Sequence, residues 1–234
     1  MKQLAPGLWQ LSGFPPNAIN MYLAEHVLID AATKWAKRRV LRQIKDREVS
    51  MLALTHVHPD HQGAAKAVCD ELAIPLAVHA DDVDGMEGRL PVQRKKPNHP
   101  LNRWGRAVWT GPPHKVDRVL EEGDVVAGFR VIHAPGHAPG EVIFFRDSDR
   151  VAISGDVINM MSLATGLPGI HEAPEFFTFD RDQARRSIVK LLDLQPSLIC
   201  PGHGAPLRDI SKLEAYVERH GLRELASESQ PVPA

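Results

Sequence analysis

The chain has 234 residues, of which 43% are apolar and 24% charged, a balance that excludes collagen-like, disordered and membrane-spanning classes and fits one hydrophobic core, or one core with a lid. Its 28 Lys plus Arg against 29 Asp plus Glu leave a net charge of -1, so the total carries no sign of a nucleic-acid binder. Histidine is out of line at 12 against 2 tyrosines, and because histidine is the commonest metal ligand, its placement directs the reading.

The opening residues Met1-Lys2-Gln3-Leu4-Ala5-Pro6-Gly7 hold no apolar core of signal-peptide length, and no window approaches the roughly 18 apolar residues of a spanning helix. A cytoplasmic protein is expected, with Cys69 and Cys200 as buried small hydrophobes in a reducing compartment. In chain order, residues 8–11, 19–24 and 27–30 read as antiparallel hairpin strands. A helix over 34–44 and a strand over 51–55 follow. A helix over 62–73 places Ala65, Val68, Cys69 and Leu72 on one face, and a strand covers 76–79.

Residues 85–118 interrupt this order. Gly88, Pro91, Pro97, Pro100, Gly105, Pro112 and Pro113 break regular structure there, and Arg89, Arg94, Lys95, Lys96, Arg103, Arg106, Lys115 and Arg118 face only Glu87 and Asp117. So long a connection in a compact domain reads as a basic lid, and Trp104 and Trp109 favour a segment that packs. Strands follow over 129–134, 141–146 and 151–154. Asp180-Arg181-Asp182-Gln183 has capping-box spacing and opens a helix to about residue 194, before Pro196. A buried strand over 198–200 and a helix over 210–225 complete a single domain, 1–226, and 227–234 reads as a flexible tail. Both halves run from strands to helices, as a sheet-on-sheet sandwich flanked by helices would.

The run Thr55-His56-Val57-His58-Pro59-Asp60-His61 stands where an apolar strand ends and a helix begins. In extended backbone, residues i and i+2 point to the same side, so His56 and His58 can reach one ion, and Pro59 keeps His58 out of the helical region. Asp60 and His61 fall on the turn into the helix and can serve a second ion. Three further loops, each right after a strand, offer one ligand apiece: His137 in Pro135-Gly136-His137-Ala138-Pro139-Gly140, Asp156 in Ser154-Gly155-Asp156, and His203 in Pro201-Gly202-His203-Gly204. Their glycines and prolines let the backbone approach a crowded centre and fix the turn.

On these residues the chain resembles the metallo-β-lactamase superfamily, whose five sequence blocks appear in order as Asp30, the run 56–61, His137, Asp156 and His203. The resemblance implies an α/β fold: a four-layer αβ/βα sandwich of two mixed β-sheets flanked by helices, with the site along one edge of the sheets. It also implies one metal held by His56, His58 and His137, a second by Asp60, His61 and His203, and Asp156 bridging the two. The exported β-lactamases are less similar, because they carry Cys or Ser where Asp156 stands. Type II glyoxalases and the lactonases that open acyl-homoserine lactones match the ligands. The chain lacks the extra C-terminal basic helical region of the former. It also lacks the tyrosine that the latter place shortly after the bridging aspartate, where Asn159 can donate a hydrogen bond instead.

Imidazole and carboxylate ligands suit two zinc ions best, and their oxygen donors also admit iron or manganese. A water bridging two divalent ions falls from a pKa of about 15.7 toward roughly 7, which supplies a hydroxide at neutral pH. Asp60 can orient it and shuttle a proton. The expected reaction is hydrolysis of an ester, lactone or thioester. The alternatives on the same resemblance are a single-iron sulfur dioxygenase and a small phosphodiester hydrolase. Candidate substrate contacts are Asn159, His171, Trp104 and Arg94. Arg94, Lys95 or Arg103 would suit a phosphate or carboxylate, and Trp104, Trp109, Met160, Met161, Phe176 and Phe177 an apolar part. His79 and His133 are expected to pack or to hydrogen-bond behind the ligands. His26, His99, His114 and His220 are expected in solvent. The expected partner is a small-molecule substrate, with neither nucleic acid nor membrane.

Overall fold

The computed structural model describes residues 1–224. Among these, one seven-stranded sheet runs in spatial order through β1 (Lys2–Ala5), β2 (Leu8–Gln10), β3 (Tyr22–Ala24), β4 (Val27–Ile29), β5 (Met51–Ala53), β6 (Leu76–His79) and β7 (Arg118–Leu120). Its first four strands pair antiparallel, as the short turns between them require, and β4 to β7 pair parallel through crossover connections. The second sheet is built from β8 (Val125–Val126), β9 (Phe129–His133), β10 (Val142–Arg146), β11 (Val151–Gly155) and, after the separate hairpin β12 (Asn159–Met161) and β13 (Pro168–His171), β14 (Leu198–Pro201). Its order is β14-β11-β10-β9-β8, with β14 parallel to β11.

Period-two alternation sends neighbouring side chains into different layers. Leu23 and Leu28 face outward onto Val40 and Ile44 of α1 (Lys37–Ile44) and, past the short α2 (Pro59–Gln62), onto Ala65 and Val68 of α3 (Ala65–Leu72). Their neighbours Tyr22, Ala24, Val27 and Ile29 face the other way and meet Val131, Val142 and Phe144 of the second sheet. The short α4 (Val83–Met86) and α5 (Pro100–Trp109) lie in the β6–β7 connection. On the far side, Ile132, Ile143 and Phe145 pack on Ile188 and Leu191 of α6 (Arg181–Asp193) and on Leu213 and Val217 of α7 (Ser211–Arg219). Three apolar layers therefore separate four structural ones, giving the αβ/βα sandwich of two mixed sheets. Removing a ring from the central layer, as in Phe144→Ala, costs about 3–5 kcal/mol. Cys69 and Cys200 are buried and unpaired.

The structure departs from the sequence expectation at several places. The helix expected over 62–73 is broken into α2 and α3. At Gly63 a Cβ would lie 2.4 Å from Lys34 N and 2.6 Å from Pro59 O, so the chain passes too close to residues 33–34 for a side chain. A Cβ on Gly111 would in turn fall 2.0 Å from Gly63 O, which seats the returning end of segment 85–118 directly behind the histidine run. That segment also contains α5, which the prolines had concealed. Pro100 takes the first helical position, where its missing N–H is no loss, and His99 caps the helix by accepting from Leu101 N at 3.2 Å. The helix expected over 34–44 begins at Lys37, and that over 210–225 is α7, a turn at 220–221 and helical residues again over 222–224. Residue 225 and the tail expected over 227–234 lie outside the described residues. No described helix is long and apolar enough to cross a membrane.

Candidate metal centre

Every loop of the site leaves the end of a strand, and buried polar side chains pin each one. Asp30 follows β4 and accepts from Thr55 N and Thr55 Oγ1, both at 2.8 Å, which ties the ends of β4 and β5 together. The same carboxylate takes His61 Nδ1 at 2.8 Å. Asp82 holds the other side. It accepts from Val57 N at 3.0 Å and Gly140 N at 3.1 Å, clamping the 56–58 run against the loop that carries His137. The His203 loop is held by Asn20 Nδ2, which donates to Pro201 O and Gly204 O at 2.9 and 2.7 Å, and by Tyr22 Oη, which donates to Pro201 O at 2.7 Å. Gly202 must be glycine, since a Cβ there would lie 2.2 Å from Asp156 Oδ1.

The seven residues singled out in the sequence come together here. His56, His58 and His137 bring their ligand atoms within 4.8 Å of one another, as do His56, His61 and Asp156, and as do Asp60, His61 and His203. His58 Nδ1 approaches His137 Nε2 at 2.8 Å. Asp156 reaches both clusters: Oδ2 lies 3.6 Å from His137 Nε2 and 3.2 Å from His203 Nε2, and Oδ1 lies 3.4 Å from His61 Nε2. Asp60 Oδ2 is 3.2 Å from His203 Nε2.

The donor set fits divalent cations. Among the described residues, His56 Nε2, His61 Nε2, His203 Nε2 and Asp156 Oδ1 are buried and complete no hydrogen bond, although His61 Nε2 and His203 Nε2 stand 3.4 and 3.2 Å from Asp156 oxygens, and such crowded donors are costly unless a cation meets them. The opposite ring nitrogens are all engaged: His61 Nδ1 by Asp30, His56 Nδ1 by Thr55 Oγ1 at 3.2 Å, and His203 Nδ1 by Ala18 O. Such partners behind a ligand fix its tautomer and aim the free nitrogen. Burial and the neighbouring imidazoles lower His56 and His58, and burial lowers His137 to about 4, so all three are neutral, the metal-binding form. Burial opposes charge on His203 too, but Asp156 and Asp60 outweigh it and raise that group to about 10. Burial likewise disfavours charge on Asp60, yet His203 and His61 hold its carboxyl well below the usual range.

Besides Tyr22, two acidic residues of the site were not singled out in the sequence. Asp82 is one, and burial raises its carboxyl to about 6 against the two backbone N–H groups that lower it. Glu141 is the other: fully buried, it accepts from Asp156 N at 2.7 Å through Oε1, which also lies 3.7 Å from His56 Nδ1. Burial and Asp156 push its carboxyl well above the ordinary value. The available signal was a lone acid opening an apolar strand run, Glu141-Val142-Ile143-Phe144-Phe145.

A cavity of about 330 Å³ opens onto His58, Asp60, His137, Asp156 and His203. Trp104, Trp109, Met161 and Phe177 line it, as the sequence reading expected of an apolar part, whereas Met160 and Phe176 do not. Asn159 lies behind the cavity on β12, completely buried, with neither amide atom hydrogen-bonded. His171 pairs with it across the β12–β13 hairpin and is not among the lining residues. Arg94 turns away to donate to Asp81 O, and Arg103 lines a groove on the other side of α5. His79 and His133 stack on each other at 3.9 Å, apart from the seven. His99, expected in solvent, packs its exposed ring edge-on against Phe176 at 4.8 Å.

A four-layer sandwich with a histidine–aspartate cluster at its strand ends defines a metal-binding α/β protein of the metallo-β-lactamase type. The sequence pattern of the metallo-beta-lactamase superfamily matches residues 15–203, and the chain belongs to that superfamily, whose members are generally hydrolases. It is similar to the probable metallo-hydrolase YflN of Bacillus subtilis (strain 168), with 28% identity over 200 residues, 77% of this chain and 76% of that one. It is also similar to the acyl-coenzyme A thioesterase MBLAC2 of Gallus gallus, at 30% identity over 123 residues that span 49% of this chain and 43% of that one. Among solved structures, TTHA1623 in a di-iron-bound form superposes with a TM-score of 0.59 and 30% identity, covering 91% of this chain and 94% of the other.

Proposed function

We propose that the chain is a dinuclear metal-dependent hydrolase that cleaves an ester, lactone or thioester of a small molecule. The observation that carries this reading is the set of buried ligand atoms, without completed hydrogen bonds, converging beside the 330 Å³ cavity. His56, His58 and His137 would hold one divalent ion, Asp60, His61 and His203 a second, and Asp156 both. The donors suit Zn²⁺ best and are compatible with iron or manganese. Divalent ions there would supply an acidified water and a polarised carbonyl.

The remaining work falls to the chain itself. Asp30 and Thr55 hold the His61 and His56 imidazoles in one orientation, Glu141 holds the Asp156 backbone, and the apolar cavity walls exclude bulk water. Asp60 lines the cavity, so its carboxylate can orient a water and shuttle a proton to the leaving oxygen or sulfur. The thioesterase relative supports acyl chemistry, and the two unpaired cysteines fit a cytoplasmic setting. The test is a panel of lactones, aryl esters, glutathione thioesters, phosphodiesters and a β-lactam on one metal-loaded preparation. Turnover confined to the lactones, esters and thioesters is expected. Turnover confined to phosphodiesters or the β-lactam would overturn the reading.

A further inference from the structure

The cavity beside the ligand cluster is walled by Ile19, Leu101, Trp104, Trp109, Leu163 and Phe177. Four of these keep much of their surface open, at 49% for Leu101, 59% for Trp104, 44% for Trp109 and 38% for Leu163. Large apolar side chains gathered around the mouth of one cavity mark a binding surface and not a core. The Trp104 and Trp109 rings of α5 lie side by side, tilted at 58° with centroids 6.3 Å apart.

The basic charge of segment 85–118 is spent away from this wall. Arg94 donates to Asp81 O, Arg89 bridges Asp84 and Glu87, and Lys96 lies over the Phe176 ring at 5.8 Å. Apart from the candidate ligand histidines, Arg106 is the one cation lining the cavity among the described residues, and its Nη1 donates to Pro97 O at 2.6 Å. Gln93 and Asn102 also line the cavity, but the former donates one amide hydrogen to Phe177 O and the latter donates to both Lys95 O and Lys96 O. Away from the candidate ligands, an anionic group entering here would lose its water and meet, as a charged donor, only the remaining N–H groups of Arg106 among the described residues.

We infer that the group which enters this cavity is an uncharged apolar acyl chain or aryl ring, a statement that rests on the hydrolase reading and names the acyl half of its substrate. Hydrolysis adds water across the acyl C–O or C–S bond. The acid product keeps the apolar group in the cavity, and the alcohol or thiol departs with a proton. A series of esters from acetyl to decanoyl on one leaving group tests this with the metal-loaded enzyme. We expect kcat/KM to rise about fourfold per methylene until the cavity fills, and a terminal carboxylate on a chain of equal length to remove that gain. A flat series, or a preference for the carboxylate, overturns the inference. A second measurement is independent of turnover: decanol titrated into the metal-free chain should change the tryptophan fluorescence, and Trp104→Phe should reduce that change. If nothing is hydrolysed but this change is present, the hydrolase reading fails and the cavity assignment stands. If esters are hydrolysed with no chain-length dependence and decanol leaves the fluorescence unaltered, the reverse holds.

Discussion

Two consecutive crossovers of the first sheet carry different parts of the chemistry. The connection from β5 to β6 holds the 56–61 run, where His56 and His61 are 1% and 0% exposed and their outer ring nitrogens are held by Thr55 and Asp30. The connection from β6 to β7 holds α5, whose Trp104 is 59% exposed and shapes the cavity by bulk alone. A ligand must be aimed to within a fraction of an ångström, which takes burial and polar partners. A wall that selects by shape and hydrophobicity needs only a surface.

The largest expected effect comes from the buried crossover and its partners. Asp156→Ala removes the one carboxylate among the described residues that reaches both clusters, so both ions should be lost by elemental analysis, and turnover should fall by more than the roughly 100-fold upper range for partners behind a ligand. Normal metal content with full turnover would remove Asp156 from its bridging place. Glu141→Gln keeps the shape but weakens the grip on the Asp156 backbone and removes the carboxyl that faces the His56 ring. Metal affinity should drop about 10–100-fold, read by competition with a chelator, while the circular dichroism spectrum stays native. An unchanged affinity would make Glu141 a packing residue only. On the exposed crossover the effects are smaller. Trp104→Ala should lower kcat/KM on a decanoyl ester roughly tenfold through lost apolar contact, with metal content unaltered. Loss of metal in that variant would erase the contrast between the two crossovers.

The smallest effect concerns pH. Burial and the facing His133 lower the His79 imidazole to about 4, whereas an unfolded histidine titrates near 6.5. Between those values the unfolded chain binds more protons than the folded one, so this group's contribution to stability rises with pH and is lost as pH falls from about 6.5 toward about 4. His79→Gln should therefore flatten the fall in melting temperature across that window. Parallel curves for the two proteins would show that His79 does not titrate with unfolding.

The sequence was most informative where a motif has one local solution. His56 and His58 on extended backbone before a proline, and single ligands in Pro-Gly turns after strands, announce convergence without any knowledge of the tertiary fold. The order of elements likewise pointed to two sheets, because each half runs from strands to helices, as a sandwich flanked by helices would. Glu141 and Asp82 stayed hidden for the opposite reason: a charged residue next to a turn looks solvated until the loop that buries it is in place. The break at Gly63 depends on the passing backbone of residues 33–34, and α5 sits among prolines that read as breakers although one of them starts it. The basic character of 85–118 was legible as composition, but its direction was not. Whether Arg94 meets a substrate or the Asp81 carbonyl depends on a contact that no local pattern records.

The central claim is a two-metal hydrolytic centre, and the most direct test is metal stoichiometry together with oxygen uptake on one catalytically active preparation. About two divalent ions per chain, activity that tracks the second ion, and no oxygen consumed are the expected result. One iron per chain, full activity at that loading and oxygen consumed with turnover would contradict it.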